Sequence, residues 1–140
     1  MIRCRTAQLT GTLSSDGVAV KSDTVSKGWL SNRRPVVEFE EGAGNPDGLT
    51  VDIDGCLWVA MARGGTVRRY TPSGALDRII HFPVSTVTSC TFGGADLDLL
   101  FVTSACVGRS EVELHKEPHS GAVFVCEVSV AGLPASRFAG

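Results

Sequence analysis

Apolar and polar positions in this chain alternate in short runs, broken every few residues by turn-forming residues. Leu49 to Val51 and Leu57 to Ala60 are apolar runs on either side of Asp54-Gly55, a dipeptide that favours positive φ and closes tight hairpins. After the turn Arg63-Gly64-Gly65, Thr66 to Tyr70 alternates as a strand does. Thr71-Pro72-Ser73-Gly74 turns the chain again, and Leu76 to Phe82 reads as a further strand ending at Pro83. Four short strands therefore fill residues 49–82. The plan then restarts with Ser89 to Phe92, the turn Gly93-Gly94-Ala95-Asp96, and Leu99 to Ser104. Trp58-Val59-Ala60 matches Phe101-Val102-Thr103 at a distance of 43 residues, and Leu49 matches Phe92 at the same distance. Four strands repeating every roughly 40–50 residues is the signature of a β-propeller. The next strand, Gly121 to Cys126, arrives late because Val107 to Ser120 is inserted. Ser110 and Glu113 have capping-box spacing and Pro118 is a stop, so the insertion is expected to hold one short helix.

Upstream, Val18 to Val20 is a short strand candidate. Trp29-Leu30 and Pro35 to Phe39 read as strand segments separated by Ser31-Asn32-Arg33-Arg34. Residues 1–17 are an unassigned, divergent segment, a strand followed by the turn cluster Gly11, Ser14, Ser15, Asp16 and Gly17. Residues 18–140 form the repeating part, with turn residues Gly132-Leu133-Pro134 and a final outer strand near Arg137-Phe138. At Asn45-Pro46-Asp47-Gly48, Pro46 fixes its own φ and Gly48 permits a backbone shape that other residues resist. Asp47 between them is expected to hold its carboxylate at the entrance of the first hairpin.

Composition narrows the function classes. With 43% hydrophobic and 20% charged residues among 140, the chain is an ordinary soluble globular domain. A formal net charge of −2 gives no reason to expect nucleic acid or an anionic membrane as partner. Arg33-Arg34 and Arg68-Arg69 are too short for a phosphate-tracking stripe and read as solvated strand faces. The five cysteines are odd in number with no Cys-x-x-Cys, against both a zinc site and a disulfide framework. A reducing compartment, a missing signal-type apolar run and the lack of a membrane-length stretch together predict a cytoplasmic protein. There is no Gly-x-Ser-x-Gly, no phosphate loop and no His-Glu-x-x-His. His115 and His119 stand four apart, but Pro118 between them spoils a shared helix face, so they read as surface histidines. His81 reads as a packing residue, and Asp52 and Asp54 as turn caps.

Several motifs in order carry a resemblance. Asn45-Pro-Asp-Gly-Leu-Thr-Val-Asp, Gly55-Cys-Leu-Trp-Val-Ala, Leu30-Ser-Asn-Arg-Arg-Pro, Thr88-Ser-Cys-Thr-Phe-Gly-Gly, Leu100-Phe-Val-Thr-Ser and the terminal Gly132-Leu-Pro with Phe138-Ala-Gly resemble the closing half of the senescence marker protein (regucalcin) and gluconolactonase family. The resemblance implies an all-β, partial six-bladed β-propeller, about two complete four-stranded blades plus part of a third. It also implies hydrolysis of sugar lactones with one axial divalent metal: calcium, zinc, magnesium or manganese. In the family the Asp of Pro-Asp-Gly is a metal ligand and candidate catalytic base; that position here is Asp47. The remaining family ligands, a Glu and two Asn from other blades, have no counterpart in this sequence. A hard divalent ion wants about six oxygens, or four donors for zinc, so Asp47 with water would hold it weakly. Two readings follow: a lactonase incomplete as this chain, or a non-catalytic truncated propeller piece or partner-binding module. An uncovered blade leaves an apolar face and a sheet edge in water, so the chain is expected to self-associate through the open propeller edge, to be unstable, or to be a truncated piece of a longer product.

Overall fold

The computed structural model describes the backbone of residues 12–13, 18–25 and 29–135, with side chains from Arg34 to Ala135. Among the described residues ten strands form three antiparallel sheets. The first holds β1 (Thr12–Leu13), β2 (Val18–Val25) and β3 (Trp29–Glu38); the second β4 (Asn45–Val51), β5 (Leu57–Ala62), β6 (Thr66–Tyr70) and β7 (Leu76–His81) in that spatial order. The third holds β8 (Val87–Gly93), β9 (Leu99–Ser104) and β10 (Val123–Glu127), with helix α1 (Glu111–Lys116) between β9 and β10. Among the described residues one sheet is four-stranded, not two. The outer strand expected near Arg137-Phe138 lies outside the described residues, as do residues 1–11 and 14–17 of the unassigned segment.

The sequence of β5 shows why the sheets stack. It reads Leu-Trp-Val-Ala-Met without a polar break, which a strand does when both its faces are covered. Leu57, Val59 and Met61 face one way, into a layer with Val37, Ala43 and Tyr70 against the first sheet. Trp58 and Ala60 face the other way, into a layer with Val67, Val84, Val87, Cys90, Leu100 and Val102 against the third. The core is therefore two apolar layers between three sheets. The first strands of neighbouring sheets, β4 and β8, lie against each other, and contact falls away towards β6. The second and third sheets thus converge at their first strands and fan apart beyond them, as propeller blades do.

The repeat holds with one adjustment. Trp58 and Phe101 occupy matching places on β5 and β9. On the preceding strands, however, Leu49 corresponds to Cys90 and Val51 to Phe92, judged by pairing partners and by the layer each side chain enters. The match of Leu49 with Phe92 keeps the face but misses by one strand period, because the second hairpin turn is longer. A further difference is that Trp29 to Glu38 is a single strand, β3. Ser31 to Arg34 pair with β2 across register shifts instead of forming a loop.

Two tethers fix the periphery. Helix α1 has the expected capping box: Ser110 Oγ accepts from Glu113 N–H, and the Glu113 carboxylate accepts from Ser110 N–H at 2.9 Å. Those hydrogen bonds, from the Ser110 backbone first, hold the Glu113 carboxyl below its ordinary pKa. Just after the helix, Glu117 accepts from Ser85 N–H at 2.9 Å and pairs with Arg109 at 3.0 Å, fastening the insertion to the segment that enters β8. At the opposite end of the sheets, the segment after β10 crosses back. Ile53 N–H donates to Ala131 O at 2.9 Å, and Gly132 N–H to Leu97 O at 2.8 Å. Residues 131–132 therefore clasp the β4–β5 turn to the β8–β9 turn.

Candidate functional site

Asn45 to Gly48 are the opening residues of β4 itself, not a turn ahead of it. Asn45 pairs with Ala62 and Pro46 with Met61, and the next pair is Leu49 with Val59. Asp47 and Gly48 thus share a bulge, with one extra residue on β4. Bulges re-aim side chains and recur beside active sites. Pro46 is tolerated because β4 is the first strand of its sheet, an edge position where a missing N–H costs no ladder bond. The bulge recurs in β8, where the register shifts between Val87 and Ser89.

Gly48 is required for closeness and not for an unusual φ. A Cβ there would lie 2.2 Å from Ser89 Oγ and 2.7 Å from Ser89 Cα. The β4 backbone therefore presses directly onto β8 beside Asp47. Gly48→Ala is expected to force the two strands apart, costing about 1–3 kcal/mol by overpacking. Thermal unfolding against the parent chain checks this; an unchanged midpoint would show that the strands do not press together there.

Asp47 itself is exposed, on the strand where the sheets converge, and makes no hydrogen bond or ion pair with a described residue. Its carboxylate lone pairs are open to solvent or ligand. Asn45, beside it, is exposed too. A cleft of about 330 Å³ opens at the same end, between the Arg63–Gly65 turn and residues 81–85, with Arg63, His81, Ser85 and Glu117 on its walls. Asp47 does not line it. His81, His115 and His119 are all exposed, and His119 falls beyond the end of α1, so no shared helical face exists.

A second acidic centre was read from sequence only as a pair of turn caps. Asp52 does cap the turn: its Oδ1 accepts from Asp54 N–H at 3.0 Å and Cys56 N–H at 2.9 Å. It is also fully buried, and its Oδ2 accepts from Trp58 Nε1 at 2.8 Å and Arg69 Nε at 2.7 Å. Arg69 extends on to Asp54 at 2.9 Å and Asp77 at 2.8 Å. Burial alone would lower the Arg69 pKa; the carboxylates of Asp77 and Asp52 outweigh it and hold the guanidinium charged. Arg68 and Arg69 are thus not a solvated pair. Arg68 points the other way, is itself buried, and is paired with Glu40. The missed signal was register: Trp58 stands directly opposite Arg69 in the β5–β6 hairpin, next to the turn that Asp52 opens. All four lone-pair directions of Asp52 are used, so it is a structural hub and not a ligand site.

The donor set decides what one chain can hold. Among the described residues no group of three or more His, Cys, Asp or Glu side chains is placed to hold a metal ion. Asp47 offers a single carboxylate where a hard divalent cation takes six or more oxygens. The described residues of one chain do not fit a resident divalent ion.

Stacked antiparallel sheets converging on their first strands, with a bulged, exposed aspartate at the convergence, define a propeller-type protein. Residues 9–106 match the family described as SMP-30/Gluconolactonase/LRE-like region, and the chain belongs to that family. It is 40% identical to regucalcin of Danio rerio over 118 residues, 83% of this chain and 40% of that protein. It is also 40% identical to the 6-deoxy-6-sulfogluconolactonase of Pseudomonas putida over 114 residues, 81% of this chain and 39% of that enzyme. The solved structure of a luciferin-regenerating enzyme superposes with a TM-score of 0.75 at 32% identity, covering 86% of this chain and 41% of the other. The chain spans about two-fifths of the length of these relatives.

Proposed function

We propose that residues 18–140 are a segment of a six-bladed lactonase propeller, acting on sugar lactones in the cytoplasm, with Asp47 as its catalytic and metal-anchoring carboxylate. The observation that carries this is the placement of Asp47: bulged, exposed and without a partner among the described residues, on the strand where the second and third sheets meet, in a chain of the gluconolactonase family. A carboxylate open to solvent has the access to take a proton from water attacking the lactone carbonyl. Water oxygen bonds to the carbonyl carbon, the ring C–O bond breaks, and the ring oxygen leaves as the hydroxyl of a hydroxy acid. A divalent ion — calcium, zinc, magnesium or manganese — would polarise that carbonyl, and its further ligands must come from outside the described residues.

The second reading is a non-catalytic propeller piece that serves as a partner-binding module. It is favoured by one observation, the solitary carboxylate where a metal needs several donors. Lactone hydrolysis followed by acid release, with each divalent ion added in turn, separates the two. The lactonase reading expects turnover that falls by about 10²-fold or more in Asp47→Ala, the usual worth of a positioned general base. Turnover that is absent, or indifferent to the substitution, leaves the binding module standing.

A further inference from the structure

The cleft of about 330 Å³ beside the Arg63–Gly65 turn plays no part in the reading of Asp47. Its walls are fastened to each other by backbone hydrogen bonds. Phe82 N–H donates to Gly65 O and Gly65 N–H to Ser85 O, both at 2.9 Å. Gly65 takes a φ of 60°, and a Cβ there would meet Val84 O at 2.8 Å, so the turn approaches the opposite wall closely. Ser85 is held in turn by Glu117, which accepts its N–H at 2.9 Å, and by Arg109, which donates to its hydroxyl. The shape is therefore built before any ligand arrives, which lowers the ordering cost of binding.

Two side chains on these walls are uncommitted. Arg63 and His81 are exposed, and neither makes a hydrogen bond or ion pair with a described residue. The hairpin register brings them together, because His81 pairs with Thr66, the first strand residue after the turn that holds Arg63. Glu117, the acidic residue of the lining, is engaged elsewhere: one oxygen pairs with Arg109 at 3.0 Å and the other accepts from Ser85. Those contacts, the Ser85 backbone first, hold its carboxyl below the ordinary pKa, so its charge stays matched to Arg109. The unmet demand of the cleft is thus on the donor side, since a guanidinium offers five N–H groups and accepts nothing. Arg63 also has a φ of 63°, a left-handed conformation that costs any residue but glycine. Glycine would serve the turn alone better; an arginine in that conformation points to a use for its side chain.

We propose that this cleft binds a sugar-sized organic acid, its acid group on Arg63 and His81 and its C–H face on Phe82 and Pro83. A guanidinium takes a carboxylate through two parallel N–H bonds, which a neutral hydroxyl does not match. Phe82 and Pro83 follow His81 directly and give the lining its apolar side. The volume lies at the small end of ligand pockets, room for one ring-sized molecule and more than a bare ion needs. The cleft opens at the end of the sheets where Asp47 stands: Asn45 pairs with Ala62, next to Arg63. The hydroxy acid released by lactone opening belongs to the class it fits. The assignment rests on the walls of the cleft and not on that reaction.

Amide chemical-shift titration of the full 140-residue chain with gluconate tests this. Saturable shifts are expected at residues 63–65 and 81–85, with a dissociation constant in the millimolar range. Arg63→Gly is expected to weaken binding about 10-fold or more, the loss of a charge-assisted contact. Glycine relieves the positive φ, so the thermal midpoint of this variant should hold or rise, which separates lost binding from lost fold. Arg78→Gln, away from the cleft, is expected to bind as the parent does. Glucitol, with the hydroxyls but no acid group, is expected to shift nothing, and inorganic phosphate to bind more weakly than gluconate for want of an apolar face. Glucitol that binds as well as gluconate overturns the role of the acid group, and phosphate that binds as well overturns the sugar-sized occupant. Absence of saturable shifts, shifts centred on β4 around Asp47, or binding indifferent to Arg63→Gly overturns the site. The readout needs no turnover, so a chain without lactonase activity leaves this inference standing, and a cleft that binds nothing leaves the lactonase reading untouched.

Discussion

Asp52→Ala is expected to destabilise the chain by about 3–5 kcal/mol, the cost of stripping one partner from a buried ion pair. The side chain is fully buried and gathers four donors, two from its own turn and two from the β5–β6 hairpin. Alanine would leave the indole N–H of Trp58 and two backbone N–H groups without their acceptor, away from water. Arg69 would keep Asp54 and Asp77, both more exposed than Asp52, but its guanidinium would lose the carboxylate that anchors it from inside. Asp52→Asn keeps the shape and one carbonyl acceptor, so its cost should be clearly smaller. Urea unfolding of the two variants beside the parent chain measures both. Equal midpoints for Asp52→Ala and the parent would mean the hub carries no stability.

Trp58→Ala is the second large effect, about 3–5 kcal/mol from a cavity in a fully buried site. The indole meets Phe92 edge-on at 5.7 Å between ring centres, and Arg69 lies over its face at 5.8 Å. It therefore joins the apolar layer between the second and third sheets to the polar hub around Asp52. Trp58→Phe keeps most of the packing and loses the hydrogen bond to Asp52, so a loss of about 1–3 kcal/mol is expected from the unsatisfied carboxylate. Thermal unfolding separates the two variants. If Trp58→Phe cost as much as Trp58→Ala, the hydrogen bond and not the packing would dominate the site.

The four strands from Leu49 to Phe82 were legible because each carries strict alternation or a buried apolar run between strong turn residues. Ser31 to Arg34 were misread because polar residues on a strand look like a loop until a pairing partner is known. Asn45 to Gly48 were misread for a related reason: Pro and Gly mark turns, yet Pro is also at home on an edge strand and Gly wherever two backbones touch. What Gly48 touches, Ser89, lies in another sheet, and no local pattern shows it. Of the proposed site the sequence named one residue, Asp47, through its motif and the family resemblance that motif carries. The Asp52 hub was not legible, because its partners Trp58 and Arg69 come together only when the hairpin register is fixed.

The clasp formed by Ala131 and Gly132 has a consequence for how the chain acquires its shape during synthesis. The amide of Ile53 emerges from the ribosome long before the carbonyl it will bind. Until that carbonyl appears, the second sheet can pair its own strands but cannot be locked at its turn to the third. Pairing within sheets is local and fast, whereas joining them waits on a contact between residues far apart in sequence. Ile53 and the neighbouring turn are thus left to water, and to chaperones, for most of the time this stretch of the message is being read.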